Sequence, residues 1–208
     1  MARAVRQLLP ASFYKRDARV VARELVGCVL VHGPVALRIT EVEAYPAGDT
    51  ASHCRAGKTA RNAPMWGPPG RAYMYLCYGI HQMLNIVTDV DGVGSAVLVR
   101  AAEIVAGEAD VVARRGWTKA VGPALLAGPG RVAQALALDA SFNHHALFER
   151  GGLELHMGDK PQLAVGPRVG IDFAQPEDRD APWRIADADS RWVSERKTLQ
   201  RLIDHERP

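Results

Sequence analysis

The stretch "CVLVHGPVALRITEVEAY", residues 28 to 45, decides how the chain is read. Two aliphatic, β-branched runs flank the turn pair Gly33-Pro34, so the stretch predicts two strands joined as a hairpin. Side chains alternate between the two faces of a strand. Val35, Leu37 and Ile39 therefore share one face, and period two carries that face on through Glu41, Glu43 and Tyr45. If the aliphatic face is a core face, it runs into two carboxylates. A carboxylate at the end of a buried face is partly desolvated, which raises its basicity and suits it to general-base work. The alternative is that the strand leaves the core near Thr40 and both glutamates are ordinary surface residues.

A second hairpin follows in "RAYMYLCYGIHQMLNIVT", residues 71 to 88, turning near Gly79. Tyr73, Tyr75 and Cys77 alternate onto one face, and Met74, Leu76 and Tyr78 onto the other. Tyrosine packs well in sheets. Tyr78, however, sits beside the turn, where packing partners are scarce. An exposed ring flanked by Ile80 is suited to wedging between stacked bases.

The other segments complete the pattern. "DARVVARELVG", residues 17 to 27, predicts a helix capped by Asp17 and closed by Gly27. "SAVLVRAAEI" predicts a strand. Helices are expected over 105–115 and 118–126, and a third after "GPG" at 128–130, a turn whose free N–H groups could hold a phosphate. Residues 153 to 194 mix short strands with Gly/Pro turns. Early strands, middle helices and late strands predict an α+β fold: one compact domain over residues 1–208 with a largely antiparallel sheet. A linker at 140–152 is the one candidate break.

Composition bounds the function. No apolar run approaches the ~18 residues that span a bilayer, so no membrane partner is expected. The start, "MARAVRQLLPASFYKRD", lacks a signal-peptide core. Three cysteines without a CxxC pair suggest reduced thiols in a cytoplasmic protein, and the arginine-heavy composition suggests a bacterial one. Net charge is +3, but two windows hold no acid at all. Residues 50–88 carry Arg55, Lys58, Arg61 and Arg71; residues 111–138 carry Arg114, Arg115, Lys119 and Arg131. One basic side suits a polyanion. The histidines include no HxxxH or HExxH pair, so no metal site is expected. The absence of GxGxxG, Walker and GxSxG patterns disfavours nucleotide cofactors and serine-hydrolase chemistry.

"TEVEAY", "SHCRAGKTARN", "RAYMYLCYGIHQMLN", "VLVRAAEI" and "AGPGRVAQALAL" occur in that order, and "PWR" and "RWVS" follow near the end. Together, from Ala18 to Val193, they resemble the alkyladenine (3-methyladenine) DNA glycosylase family. The resemblance implies a curved antiparallel sheet flanked by helices, similar to a formyltransferase C-terminal domain. It implies excision of alkylated or deaminated purines from double-stranded DNA, by a monomer, without cofactor or metal and without cutting the strand. Glu43 falls on the carboxylate that activates the attacking water, and Arg100 on the arginine that helps hold it. Tyr45, His53 and Tyr75 fall on the walls around the flipped base. Asn85 falls on the residue that discriminates against guanine, and Tyr78 on the residue that fills the gap in the duplex. Arg55, Lys58, Arg61 and Arg131 are candidates for backbone phosphates. Two other readings compete. A non-catalytic nucleic-acid-binding domain would use Tyr73, Tyr75 and Tyr78 as a stacking platform. A helix–hairpin–helix glycosylase, reading "ALLAGPGRVAQAL" as its hairpin, would be mostly helical.

Overall fold

Gly33 and Pro34 fold β1, Val29–His32, back onto β2, Val35–Tyr45, in antiparallel register. The computed structural model describes residues 7–119 and 122–202. Strand β2 is the axis of the sheet. One edge pairs with β5, Ala96–Ala106; the other pairs with β1 and then, over Glu41–Glu43, with β8, Arg184–Asp187. Outside β5 lies the second hairpin, β4, His81–Val87, and β3, Ala72–Cys77. Outside β8 lie β7, Leu163–Gly166, and β9, Gln200–Arg201, while β6, Leu153–His156, extends the sheet from β1. Among the described residues every strand pair is antiparallel, giving an open nine-stranded sheet in a single α+β domain.

Helix α1, Ala18–Leu25, begins where the Asp17 carboxylate accepts the Arg19 N–H at 2.7 Å. Its spacing buries Val21, Ala22 and Leu25. With α3, Pro129–Ala135, it packs on β2, β4 and β5 to form the main core. The helix expected over 105–115 is shorter: α2 spans Glu108–Arg114, because β5 continues to Ala106 and Gly107 takes a left-handed φ of 76°. The helix expected over 118–126 is not formed. Residues 120 and 121 lie outside the described residues, and the rest is turn with a three-residue 3₁₀ segment, Pro123–Leu125. Gly122 has φ 59°, and a proline disfavours helical backbone in the residue before it. A last short helix, α4, spans Pro176–Arg179. The 140–152 segment is no linker: His144 and Leu147 donate backbone N–H groups to Ala72 and Gly70, and Leu147 is fully buried. A nine-stranded sheet also excludes the mostly helical reading.

The alternation along β2 does not run straight through. Ile39 pairs with Ala102 and Glu41 with Ala101, so Thr40 is an extra residue on β2. Glu41–Ala101 is followed by Val42–Val99, so Arg100 is an extra residue on β5. Each bulge shifts the side-chain parity of its strand. The core therefore takes Val35, Leu37 and Ile39 from β2, then Val42 and Ala44; from β5 it takes Ala102, then Val99 and Val97. This corrects the expectation that Glu41 and Glu43 continue the face of Ile39. The paired bulges turn Glu43, Tyr45 and Arg100 to the opposite face. Both glutamates are nonetheless 0% exposed, which rules out the surface alternative.

Candidate active site

A cavity of about 640 Å³ opens on that opposite face. Glu43 lies in its lining, gripped by three donors. Its Oε1 accepts the Val169 N–H at 2.9 Å and meets an Arg100 Nη at 3.2 Å. Its Oε2 accepts the Tyr45 hydroxyl at 2.9 Å. Tyr45 stands two residues further along β2, so strand alternation sets ring and carboxylate on the same face. Burial, reinforced by the nearby Glu43 charge, raises the Tyr45 hydroxyl well above the usual phenol range. The hydroxyl therefore stays protonated and serves as a donor.

The opposing wall is aromatic. The His53 ring meets Tyr75 edge-on with centroids 4.4 Å apart, and shares a hydrogen bond of 3.0 Å with the Tyr73 hydroxyl. Burial, then the charges of Arg61 and Arg55, hold His53 below the ordinary imidazole value, so it is neutral at pH 7. Burial pushes Tyr73 up to about 12 and raises Tyr75 as well. Asn85 pairs with Tyr73 and with Leu98 across the ladder. Buried and in the cavity lining, it donates its amide to the Tyr73 carbonyl at 3.3 Å.

The hairpin that supplies Tyr75 and Asn85 ends at Tyr78-Gly79-Ile80. Tyr78 and Gly79 have φ of 50° and 73°, and the Ile80 N–H donates to the Cys77 carbonyl at 3.1 Å. Two consecutive left-handed residues are what the tightest hairpin turns demand. Glycine fits; a tyrosine there costs about 1 kcal/mol or more. Tyr78 is 91% exposed and Ile80 72%, so the strain is not offset by packing.

Arg55 and Arg61 line the cavity, and Lys58 is exposed on the same loop. Arg131, on α3, is also exposed; Pro129 of the same helix reaches the cavity lining. Arg55 stacks over Phe173 at 5.2 Å, an aromatic residue 63% exposed. The Gly-Pro-Gly turn is used to seat α3: Gly128 donates to the Arg100 carbonyl at 3.1 Å, and Gly130 lies against His81.

The shell behind the site was not read from the sequence. Arg168 is buried, paired with Asp49, and lies 4.6 Å from the Tyr45 ring centroid. Arg184 is fully buried. It donates to Glu41 at 2.8 Å, to the Pro167 carbonyl at 2.8 Å and to the Ser194 carbonyl at 3.1 Å. Burial raises the Glu41 carboxyl, against the pull of Arg100, Arg184 and Ser194. The "PWR" and "RWVS" matches reached Arg184 and Ser194 without naming a role, and no motif pointed to Arg168 or Asp49. Among the described residues no group of three or more His, Cys, Asp or Glu side chains is placed to hold a metal ion. No described helix is long and apolar enough to cross a membrane, and the three cysteines are free.

Comparison with known proteins places this geometry in context. Residues 12–191 match the family model described as methylpurine-DNA glycosylase (MPG). A protein of Nitrosococcus oceani, provisionally named a 3-methyladenine DNA glycosylase, is 57% identical over 195 residues, covering 93% of this chain and 96% of its own. The DNA-3-methyladenine glycosylase of Arabidopsis thaliana is 51% identical over 199 residues, 94% of this chain and 78% of its own. A Methanoculleus marisnigri protein with the same provisional name as the first is 43% identical over 197 residues, covering 90% of this chain and 99% of its own. A cavity walled by tyrosines around a held carboxylate, under a hairpin tipped with a bare aromatic ring, thus sits in a chain that belongs to the methylpurine-DNA glycosylase family.

Proposed function

We propose that the chain is a monofunctional DNA glycosylase that acts as a monomer on duplex DNA and hydrolyses the N-glycosidic bond of alkylated or deaminated purines. The observation that carries this reading is Glu43 in the lining of an aromatic cavity, one hairpin away from a bare tyrosine. A base inside a duplex cannot be reached, and extruding it costs a few kcal/mol. Stacking returns about 1–3 kcal/mol per base. Tyr78 fills the gap left in the duplex, while Tyr45 on one side and His53 and Tyr75 on the other hold the extruded base. Alkylation at N3 or N7 makes a purine cationic, which tyrosine faces attract.

A carboxylate has about four acceptor sites. Glu43 Oε1 faces two donors and Oε2 faces one, so Oε2 keeps room for a water. In the reaction that water attacks the sugar's anomeric carbon, its proton passes to Glu43, and the bonding pair leaves with the purine. The carboxylate also stabilises the oxocarbenium-like sugar of the transition state. Arg100, in contact with both glutamates, orients the pair. Among the described residues no lysine lines the cavity, which supports a glycosylase that does not itself cut the strand. Asn85 fills the wall that a guanine 2-amino group would need.

The test is single-turnover excision from duplexes carrying one hypoxanthine, ethenoadenine or 3-methyladenine, read by alkali cleavage. The wild type is expected to release the base with or without EDTA, and to leave the strand intact before alkali. Binding without release would favour the stacking-platform reading. Loss in EDTA that returns with zinc or magnesium would overturn the chemistry.

A further inference from the structure

Ser194 joins Glu41 to Arg100, the arginine that also meets Glu43. Its hydroxyl accepts the Arg100 Nε–H at 2.9 Å and donates to Glu41 Oε1 at 3.0 Å. Its backbone N–H donates to Glu41 Oε2 at 2.7 Å, and its carbonyl accepts from Arg184 at 3.1 Å. The same Arg184 holds the Pro167 carbonyl, two residues before the Val169 N–H that grips Glu43. One buried guanidinium thus fixes both the partner of Glu43 and the partner of Arg100.

We propose that Ser194 is a positioning residue for excision: its hydroxyl holds the Nε edge of Arg100 so that a terminal nitrogen faces Glu43. This rests on the catalytic reading of Glu43 and Arg100 given above. The reasoning is geometric. Arg100 sits at a β-bulge, so ladder pairing does not fix its side chain. Its Nε is 3.5 Å from Glu41 Oε1 and its Nη 3.2 Å from Glu43 Oε1, so two carboxylates compete for one guanidinium. The Ser194 hydroxyl spends its own proton on Glu41 and offers its lone pair to Nε. Removing it frees Arg100 to turn its fork onto Glu41, because a charged donor left unpaired seeks the nearest carboxylate. Ser194→Ala removes only this hydroxyl. The backbone bonds to Glu41 and Arg184 remain, so the fold is expected to survive.

The test is a double-mutant cycle with Arg100→Gln, read by single-turnover excision and by half-saturation on a hypoxanthine duplex. Ser194→Ala is expected to lower the maximal rate about tenfold to a hundredfold, the range of a hydrogen bond to a charged group, with half-saturation unchanged. Ser194→Thr, which keeps a hydroxyl, is expected to restore most of it. In the Arg100→Gln background the same change should alter the rate less than about twofold. Equal fold losses in both backgrounds overturn the proposal, as does a near wild-type rate for Ser194→Ala. Should Ser194→Ala also melt lower, the cycle still decides, because a folding defect acts equally in both backgrounds. Glu43→Gln run in parallel separates the two readings. If it is as fast as wild type, the catalytic assignment fails; if it is inactive beside an unaffected Ser194→Ala, only this inference fails.

Discussion

Two glutamates on one strand, two residues apart and both fully buried, have opposite surroundings. Glu41 is closed in by Arg184 and by the backbone and side chain of Ser194, with Arg100 alongside. Glu43 meets Val169, Tyr45 and Arg100 on one side and a cavity on the other. Burial alone does not make a carboxylate chemical. Each has one oxygen that accepts a single bond, from Ser194 in Glu41 and from Tyr45 in Glu43, but only Glu43 lines the cavity, where a water can reach that oxygen. Glu41 binds the C-terminal segment to the sheet; Glu43 opens onto the cavity.

Replacing each carboxylate in turn is expected to have two different consequences. Glu43→Gln is expected to fold normally, bind a damaged duplex and lose excision by at least about 10²-fold, the usual scale of general-base catalysis. Single-turnover rates within a few-fold of wild type would end the assignment. Glu41→Ala is expected to act on stability, by about 3–5 kcal/mol, because it strands the buried Arg184 charge. Denaturant unfolding checks it; a loss under about 1 kcal/mol would mean the network behind the site is dispensable.

A smaller effect is expected at the hairpin tip. Tyr78→Asn places a residue tolerant of left-handed backbone where φ is 50°. Stability should rise by about 1 kcal/mol while duplex excision falls by about 1–3 kcal/mol of transition-state binding. Damaged bases in single strands leave no gap, so their excision should fall less. Equal losses on both substrates would make Tyr78 ordinary surface. In the cavity, Asn85→Ser should raise release of guanine or 7-methylguanine relative to hypoxanthine, through about 1 kcal/mol of relieved clash and unpaired donors. If both rates fall together, the selectivity lies elsewhere.

The smallest effect is the pH response of His53. Its folded value is lowered, so the unfolded chain binds the proton first. The stability this group contributes is present above about pH 6.5 and is lost as pH falls through the folded value. Wild type should therefore lose more melting temperature than His53→Gln between neutral pH and pH 5. A gap that does not change with pH would show that His53 is not held neutral by the fold.

The comparison also separates what was legible in the chain from what was not. The hairpin at residues 71–88, its turn at Gly79 and the bare Tyr78 were readable, because alternation and turn chemistry are local. The Asp17 cap was readable for the same reason. The helix over 118–126 was misread, because apolar spacing suggested it while the Gly122-Pro123 backbone forbade it. Of the expected site residues all but Lys58 and Arg131 line one cavity, yet the face that Glu43 and Tyr45 occupy was assigned wrongly from β2 alone.

The α+β pattern, the strand that carries both carboxylates and the two acid-free windows that carry the basic residues were written in the chain, since each follows from neighbours a few positions apart. That Glu43 faces the cavity while Glu41 is enclosed by Arg184 and Ser194 follows from the fold as a whole. The bulges at Thr40 and Arg100 are a property of two strands in register, visible in neither strand alone. The partners that distinguish the glutamates lie 126 residues away at Val169 and 153 at Ser194, and separations of that length leave no periodic trace in a chain. Side-chain chemistry is written locally; which carboxylate opens onto a cavity depends on segments that meet only in the folded protein.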